Sequence, residues 1–306
     1  MSFEVFPTIK KPELFSAEEK VFLNEKLQEM HGGVLVEEEF ELGIDSKGNK
    51  YGLYKKEEIE KDKAEVVRIK KDFEINDKAK ELEATNFSEQ QKIMETSRYL
   101  EALFYEKLGG KNGWLPNAAV YKTSEYDDFK NGIDFVVELD EEHFGIAIDV
   151  TLSRRSEIII NKLKKVKTRI DHDKLTEVKY YELPGHAENG TVPSVVIALD
   201  YNHAVQALKF WADGDDELLA KHPTRVKAWL EASAQFDAYR TYAEYQSKHS
   251  IAEVYKRAYG VIQKIINENQ DTIQKYQSVI EEDQAYQTIM GFCEDLKTKA
   301  LKPVLL

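Results

Sequence analysis

Two aspartates set into otherwise apolar runs are the residues most able to do chemistry in this sequence. Residues 126–153 read YDDFKNGIDFVVELDEEHFGIAIDVTLS, two apolar runs around the polar stretch Asp140–His143, which is the pattern of a β-hairpin. Centring the turn between Glu141 and Glu142 places Leu139 opposite Phe144, Val137 opposite Ile146, Phe135 opposite Ile148 and Ile133 opposite Val150. One face is then entirely apolar, as a core face must be. The other face carries Glu138 opposite Gly145, Val136 opposite Ala147 and Asp134 opposite Asp149. Directly opposed Cβ atoms lie about 4.5–5.5 Å apart in such a ladder. Two ionised carboxylates at that separation repel, and either one takes up a proton or a divalent cation sits between them. Hard oxygen donors of this kind suit Mg²⁺ or Mn²⁺. The alternative is a pair of aspartates at strand margins that meet water or backbone.

The surrounding elements must hold this hairpin in place. Ser88 with Gln91 makes a capping box for a helix that runs to about Leu108 and stops at Gly109-Gly110. Ile93, Leu100, Phe104 and Leu108 share one of its faces. Strands are expected over 118–123, 133–139 and 144–152, a helix over about 156–170, and strands near 178–183 and 193–200. The last of these, PSVVIALD, is apolar throughout, as a strand covered on both faces should be. Helix, three strands, helix and two strands make an α/β core over residues 86–201.

Residues 1–85 read as a charged extension. Ser16 with Glu19 caps a short helix that stops at Gly32-Gly33, the stretch VLVEEEFELGIDSKGNKYGLYK reads as a hairpin turning at Ser46–Asn49, and one or two Lys- and Glu-rich helices follow over 56–84. Residues 202–306 are helical throughout, with Leu218, Val226, Trp229, Leu230, Phe236, Tyr239, Tyr242, Tyr255 and Tyr259 at helical spacing. Such a stripe reads as core rather than as a platform for stacked bases.

The helix, the acidic hairpin, and the following helix and strand resemble the PD-(D/E)XK nuclease superfamily over about residues 88–200. The resemblance implies a restriction-endonuclease-like mixed sheet flanked by helices, with Mg²⁺ or Mn²⁺ held by Asp134 and Asp149 and phosphodiester bonds of DNA or RNA as the substrate. It assigns Asp134 and Asp149 to the two acids, and Glu101 to the acid of the preceding helix. Two positions depart from the pattern: Ile133 stands where the name-giving proline would be, and Thr151 stands where the lysine belongs. On the next helix Lys162 lies about 70° from the centre of the buried face, which makes it the candidate for a lysine that has migrated. A phosphate-contacting or surface lysine is the other reading. Asp127 reads as part of a turn with Asn131-Gly132, and Asp128 fits either the turn or the metal site. The missing lysine also admits a second function, that of a catalytically inactive nuclease-fold protein acting as a nucleic-acid-binding or scaffolding subunit.

Charge and composition narrow the partners. A net charge of −13 argues against unspecific coating of nucleic acid. Yet residues 151–180 hold nine basic residues against four acidic ones, so one basic surface is expected inside an acidic chain. Arg154, Arg155, Lys164 and Lys165 are its candidates for contacts to a nucleic-acid backbone. No apolar run is long enough for a membrane span, and the N-terminus does not read as a secretory signal. With Cys293 the single cysteine, a reducing cytoplasm is expected. Self-association or a protein partner through the N- or C-terminal helices fits the helical content. A Ser-His-Asp triad, a phosphate-cradling glycine loop and a dinucleotide fingerprint are all lacking.

Overall fold

Ser16 closes the first helix by the reciprocal bonds of a capping box, accepting from the Glu19 N–H while the Glu19 carboxylate accepts from the Ser16 N–H. The computed structural model describes residues 15–44, 50–83, 87–110, 113–139, 144–153, 155–181 and 190–301. After α1 (Ala17–Gly32) come the short strands β1 (Gly43–Ile44) and β2 (Lys50–Tyr51), paired antiparallel. Among the described residues they are the regular ladder of the expected N-terminal hairpin, continued by bonds between Phe40–Leu42 and Leu53–Tyr54. Glu37–Phe40 fold instead into a 3-10 turn, and the turn expected at Ser46–Asn49 lies outside the described residues. A single helix, α2 (Lys56–Glu83), follows, with Ile59, Asp62 and Val66 forming its buried stripe.

The core runs α3 (Phe87–Leu108), β3 (Ala118–Lys122), β4 (Phe135–Leu139), β5 (Phe144–Leu152), α4 (Ser156–Asp171), β6 (Thr176–Val178), β7 (Gly190–Val192) and β8 (Ser194–Leu199). Its main sheet has the order β3-β4-β5-β8, antiparallel except that β5 and β8 run parallel. Parallel neighbours need a crossover, and α4 supplies it. The protein is therefore α/β with a mixed four-stranded sheet, as the pattern of elements predicts. The hairpin register is also as expected over Phe135–Ile148, Val136–Ala147, Val137–Ile146, Glu138–Gly145 and Leu139–Phe144. Its turn, Asp140–His143, lies outside the described residues.

Three details differ from the sequence reading. Ile133 does not pair with Val150: the regular ladder ends at Phe135, and Ile133 turns to the opposite face, packing with Val136, Ala147, Val178, Tyr181 and Val192. The cause is local, since the Ile133 carbonyl accepts from the Thr123 hydroxyl and its N–H donates to the Asp127 carbonyl. The strand expected over 178–183 stops at Val178, because the N–H groups of Lys179 and Tyr180 donate to the Asp127 carboxylate and leave the ladder. Ile93 is exposed, so the buried face of α3 begins later, at Thr96, Tyr99 and Leu100. The side chain of Ser88, expected to cap this helix, is outside the described residues.

The rest of the chain is helical: α5 (Tyr201–Ala212), α6 (Asp216–Ala220), α7 (Pro223–Tyr245), α8 (His249–Glu268), α9 (Gln270–Glu281) and α10 (Gln284–Leu301). Of the expected stripe, Val226, Trp229, Phe236, Tyr239, Tyr242 and Tyr255 are buried, Leu230 and Tyr259 pack at the margin, and Leu218 is exposed. These side chains share one hydrophobic core with α1, α3, α4 and the sheet.

Helix α7 also seals a sheet edge. The backbone of β8 would present unpaired N–H and C=O groups on its outer side. Instead Gln235 accepts from the Val196 N–H (3.0 Å) and donates to the Val196 carbonyl (2.7 Å). One turn back, Glu231 accepts from the Ala198 N–H (3.0 Å), and Lys227 donates to the Ala198 carbonyl (2.7 Å). Three side chains at four-residue spacing thus satisfy the strand edge in place of a fifth strand.

Candidate metal site

The regular ladder of β4 ends just short of Asp134, and this ending shapes the site. Asp134 donates its backbone N–H to the Ile148 carbonyl (2.9 Å), while its carboxylate accepts the Val150 N–H (2.6 Å). The side chain thus replaces a main-chain partner and is pinned at the strand end. Before it, residues Asp127–Asn131 form a π-turn closed by Gly132 in the left-handed region, φ 68°. A glycine suits this position for its positive φ. Asp127 builds the turn: its fully buried carboxylate accepts from Ser124, the Asn131 amide and the N–H groups of Lys179 and Tyr180. Asp128 points the other way, into the acidic cluster.

That cluster consists of Glu101 from α3, Asp128 from the turn and Asp134. Their oxygens lie within 4.8 Å of one another, an arrangement that could hold a metal ion. Among them sits Lys122 from β3, whose ammonium is 3.1 Å from Asp128, 3.4 Å from Glu101 and 3.9 Å from Asp134. The Lys122 side chain is only 5% exposed and its ammonium also lies 5.2 Å from the centre of the Phe135 ring. Asp149 on β5 is flanked instead by Lys162 of α4, which donates to its Oδ1 at 2.5 Å.

Burial dominates the protonation of the acids. It raises Asp134 well above the usual carboxylate range, and the charges of Glu101, Asp128 and Asp149 push the same way against Lys122. Burial raises Glu101 too, opposed by Lys122 and assisted by Asp128. Asp149 is raised by burial, with Lys162 opposing. For both lysines burial alone would lower the pKa, but the carboxylates outweigh it and both are held above the ordinary lysine value. A group of buried acids that resist ionisation without more positive charge has the donor chemistry of a divalent-cation site.

The expected residues fall in three places. Asp134, Asp149, Glu101 and Lys162 are drawn together, and Thr151 is buried on β5 two residues beyond Asp149. Lys165 does not project freely. Its ammonium donates to the Lys130 (3.2 Å) and Asn131 (2.9 Å) carbonyls and its pKa is lowered to about 8, by burial first and then by Arg169. Arg169 donates to the same Asn131 carbonyl, so the two residues brace the turn before Asp134. Arg155 and Lys164 are exposed along α4, and Arg154 lies outside the described residues.

No family model, curated protein or solved structure matches the chain. Lys122 is the residue that sequence reasoning missed. A lysine closing AAVYK reads as a strand running out into solvent. The available signal was its alternation with Ala118 and Val120 on one strand of the main sheet.

A second group, Asp200, His203 and Asp283, also has ligand types that could hold a metal ion. There His203 meets both carboxylates, and Lys227 lies 2.8 Å from Asp283. Lys227 also pairs with Glu231 at 3.6 Å, so these residues form one internal network of acids and cations. No helix among the described residues is long and apolar enough to cross a membrane.

Proposed function

We propose that the chain is a metal-dependent, nuclease-like protein of the PD-(D/E)XK type that acts on phosphodiester bonds of nucleic acid. The observation that carries this reading is the Lys162 ammonium on Asp149: the lysine missing at Thr151 is supplied from the next helix, to the same carboxylate. The order α3, β3-β4-β5, α4, β8, with a parallel closing strand, is consistent with a restriction-endonuclease-like core. Asp134 and Asp149 supply the hard oxygens suited to Mg²⁺ or Mn²⁺. When bound, such an ion contributes Lewis acidity toward the phosphate. Lys162 stabilises negative charge developing beside Asp149, and Arg155 and Lys164 offer exposed cations along the same helix for a nucleic-acid backbone.

The second reading, a catalytically inactive binding or scaffolding subunit, is favoured by the Lys122 ammonium already seated among Glu101, Asp128 and Asp134. Asp149→Ala separates the two. Purified chain and variant are incubated with single- and double-stranded DNA and RNA in Mg²⁺ or Mn²⁺, with circular dichroism as the fold check. Cleavage by the parent and its loss in Asp149→Ala is the expected result. Equal cleavage by both would overturn the assignment of the site, and Mn²⁺ binding without cleavage would favour the inactive reading.

A further inference from the structure

The lysines next to the acidic cluster each have an acid to answer them: Lys122 meets Glu101 and Asp128, Lys130 meets Glu65, and Lys162 meets Asp149. Lys165 and Arg169 do not. Neither pairs with a carboxylate among the described residues, and both donate instead to neutral oxygens. Lys165 holds the Lys130 and Asn131 carbonyls. Arg169 holds the Thr176 hydroxyl and the same Asn131 carbonyl, each cation 2.9 Å from that oxygen. Two positive charges thus gather on one carbonyl dipole, four residues apart on α4, a spacing at which like charges repel. Asp149 acts on both cations and Glu177 on Arg169, but only through space, and Asp149 is already taken by Lys162. The pair also keeps donors in hand. An ammonium has three N–H groups and a guanidinium five, and each of these two side chains uses two. Lys165 is exposed and Arg169 half-buried, so a ligand can reach them from solvent. They border the acid site, since a single point over Gly132 lies 3.4 Å from Lys165 Nζ and 4.0 Å from Asp149 Oδ2.

We infer that Lys165 and Arg169 form an anion subsite beside Asp149 that takes a phosphate group of the nucleic acid. Phosphate supplies what the pair lacks, negative charge together with several oxygens that accept from an ammonium and a guanidinium at once. A terminal phosphate, close to a dianion at neutral pH, answers both cations, and an internal diester carries one charge to share between them. The subsite is separate from the exposed Arg155 and Lys164, which lie outside the shared Asn131 carbonyl. The inference rests on the nucleic-acid reading proposed above for the source of the phosphate, and on no metal ion.

The first probe is inorganic phosphate, added to the full chain at neutral pH with EDTA present. Lysines are labelled briefly with acetic anhydride, and Lys165 is compared with Lys164 by peptide mass spectrometry. Labelling of Lys165 is expected to fall about tenfold once phosphate reaches about ten times its Kd, the fraction left unbound. Lys164 should label as it does in chloride of the same ionic strength. No protection of Lys165, or equal protection of Lys164, would overturn the subsite. The parent chain alone decides this, and a pair that only braces the π-turn would not respond to phosphate. The second probe is a single-stranded oligonucleotide followed by fluorescence anisotropy, again in EDTA. Lys165→Met and Arg169→Gln should each weaken its binding by about tenfold or more, the loss of a charge-assisted bond, and Lys165→Arg should restore it. The salt dependence should fall by about 0.7 per lost contact. Unchanged binding in both folded variants would overturn the inference. A preference for a 5′-phosphorylated over a 5′-hydroxyl oligonucleotide, lost in Lys165→Met, supports the terminal group; equal binding of both, weakened in Lys165→Met, supports the diester. Cleavage without protection of Lys165 would sink this subsite and leave the proposed function standing. Protection without cleavage would keep the subsite and favour the inactive binding subunit.

Discussion

At the scale of single residues the site is a contest between burial and charge. Lys162 has to be judged within it, because a lysine on a carboxylate can be a catalytic group or a mere counter-ion. If it stabilises charge on the phosphate, its loss should act in the reaction more than in binding. Lys162→Met is expected to lower the cleavage rate constant by about a hundredfold or more, the effect of deleting one well-placed charge-stabilising donor. Mn²⁺ binding should survive, since Asp149 is freed of a competing cation. Single-turnover cleavage beside Mn²⁺ calorimetry makes the comparison, and an unchanged rate constant would reduce Lys162 to a brace for Asp149. Lys162 was legible in the sequence because helix geometry fixes its angle to Ile159, Leu163, Val166 and Ile170, all of which are buried. Lys122 was not, because one lysine at a strand end looks the same whether it meets water or three clustered acids.

At the scale of elements, alternation was the reliable guide and it failed where polar side chains replaced backbone partners. The register of β4 and β5 followed from five residues a side with apolar pairs on one face. It gave way at Ile133, where Thr123 and Asp127 take over the backbone. The stripe Lys227, Glu231, Gln235 would be read as a solvated face of α7, and only the position of β8 reveals it as an edge cover. The junction of α5, α7 and α10 is likewise invisible in sequence. Asp200 caps α5 and Asp283 accepts the Tyr286 N–H at the start of α10, so two helix N-termini meet at His203. His203 faces Asp200, Asp283 and the ring of His222, and Lys227 shares the same Asp283 oxygen with it. Burial lowers its pKa, but the two acids more than compensate and raise it to about 9. A histidine raised in the folded state adds stability that is complete below its unfolded value of about 6.5 and lost as pH rises through about 9. Glu231, raised to about 8, and Lys165, lowered to about 8, also titrate nearby, so the contribution is read by difference. Urea unfolding from pH 6 to 9.5 should show the parent losing stability relative to His203→Gln. Parallel curves for the two proteins across that range would refute it.

At the scale of the whole molecule, the chain holds one large core and a smaller attachment of another kind. The large core runs from α1 through the sheet to α10. Between α1 and α3, the segment from Glu37 to the first half of α2 attaches through a separate small cluster of Tyr54, Ile59 and Tyr180. Its centre is polar. The Lys179 ammonium reaches Asp62 at 2.5 Å and lies 4.7 Å, 5.3 Å and 5.6 Å from the ring centres of Tyr54, Tyr126 and Tyr180. Tyr180 donates to Asp62 (2.7 Å), Tyr54 donates to the Lys179 carbonyl (2.8 Å), and Lys130 pairs with Glu65 at the rim. The segment therefore grips the π-turn that carries Asp128, while contributing little to the main core. Removing the cation should loosen the attachment and spare the rest. A desolvated cation over aromatic faces contributes about 2 kcal/mol, which corresponds to roughly thirtyfold faster exchange if the helix opens locally. Lys179→Met is accordingly expected to speed amide hydrogen exchange over residues 56–73 by about that factor, with exchange in β4, β5 and α7 unchanged. Equal acceleration everywhere would mean that this segment opens only with the whole fold. Unchanged exchange in α2 would show that the apolar contacts of Ile59 and Val66 hold it without Lys179.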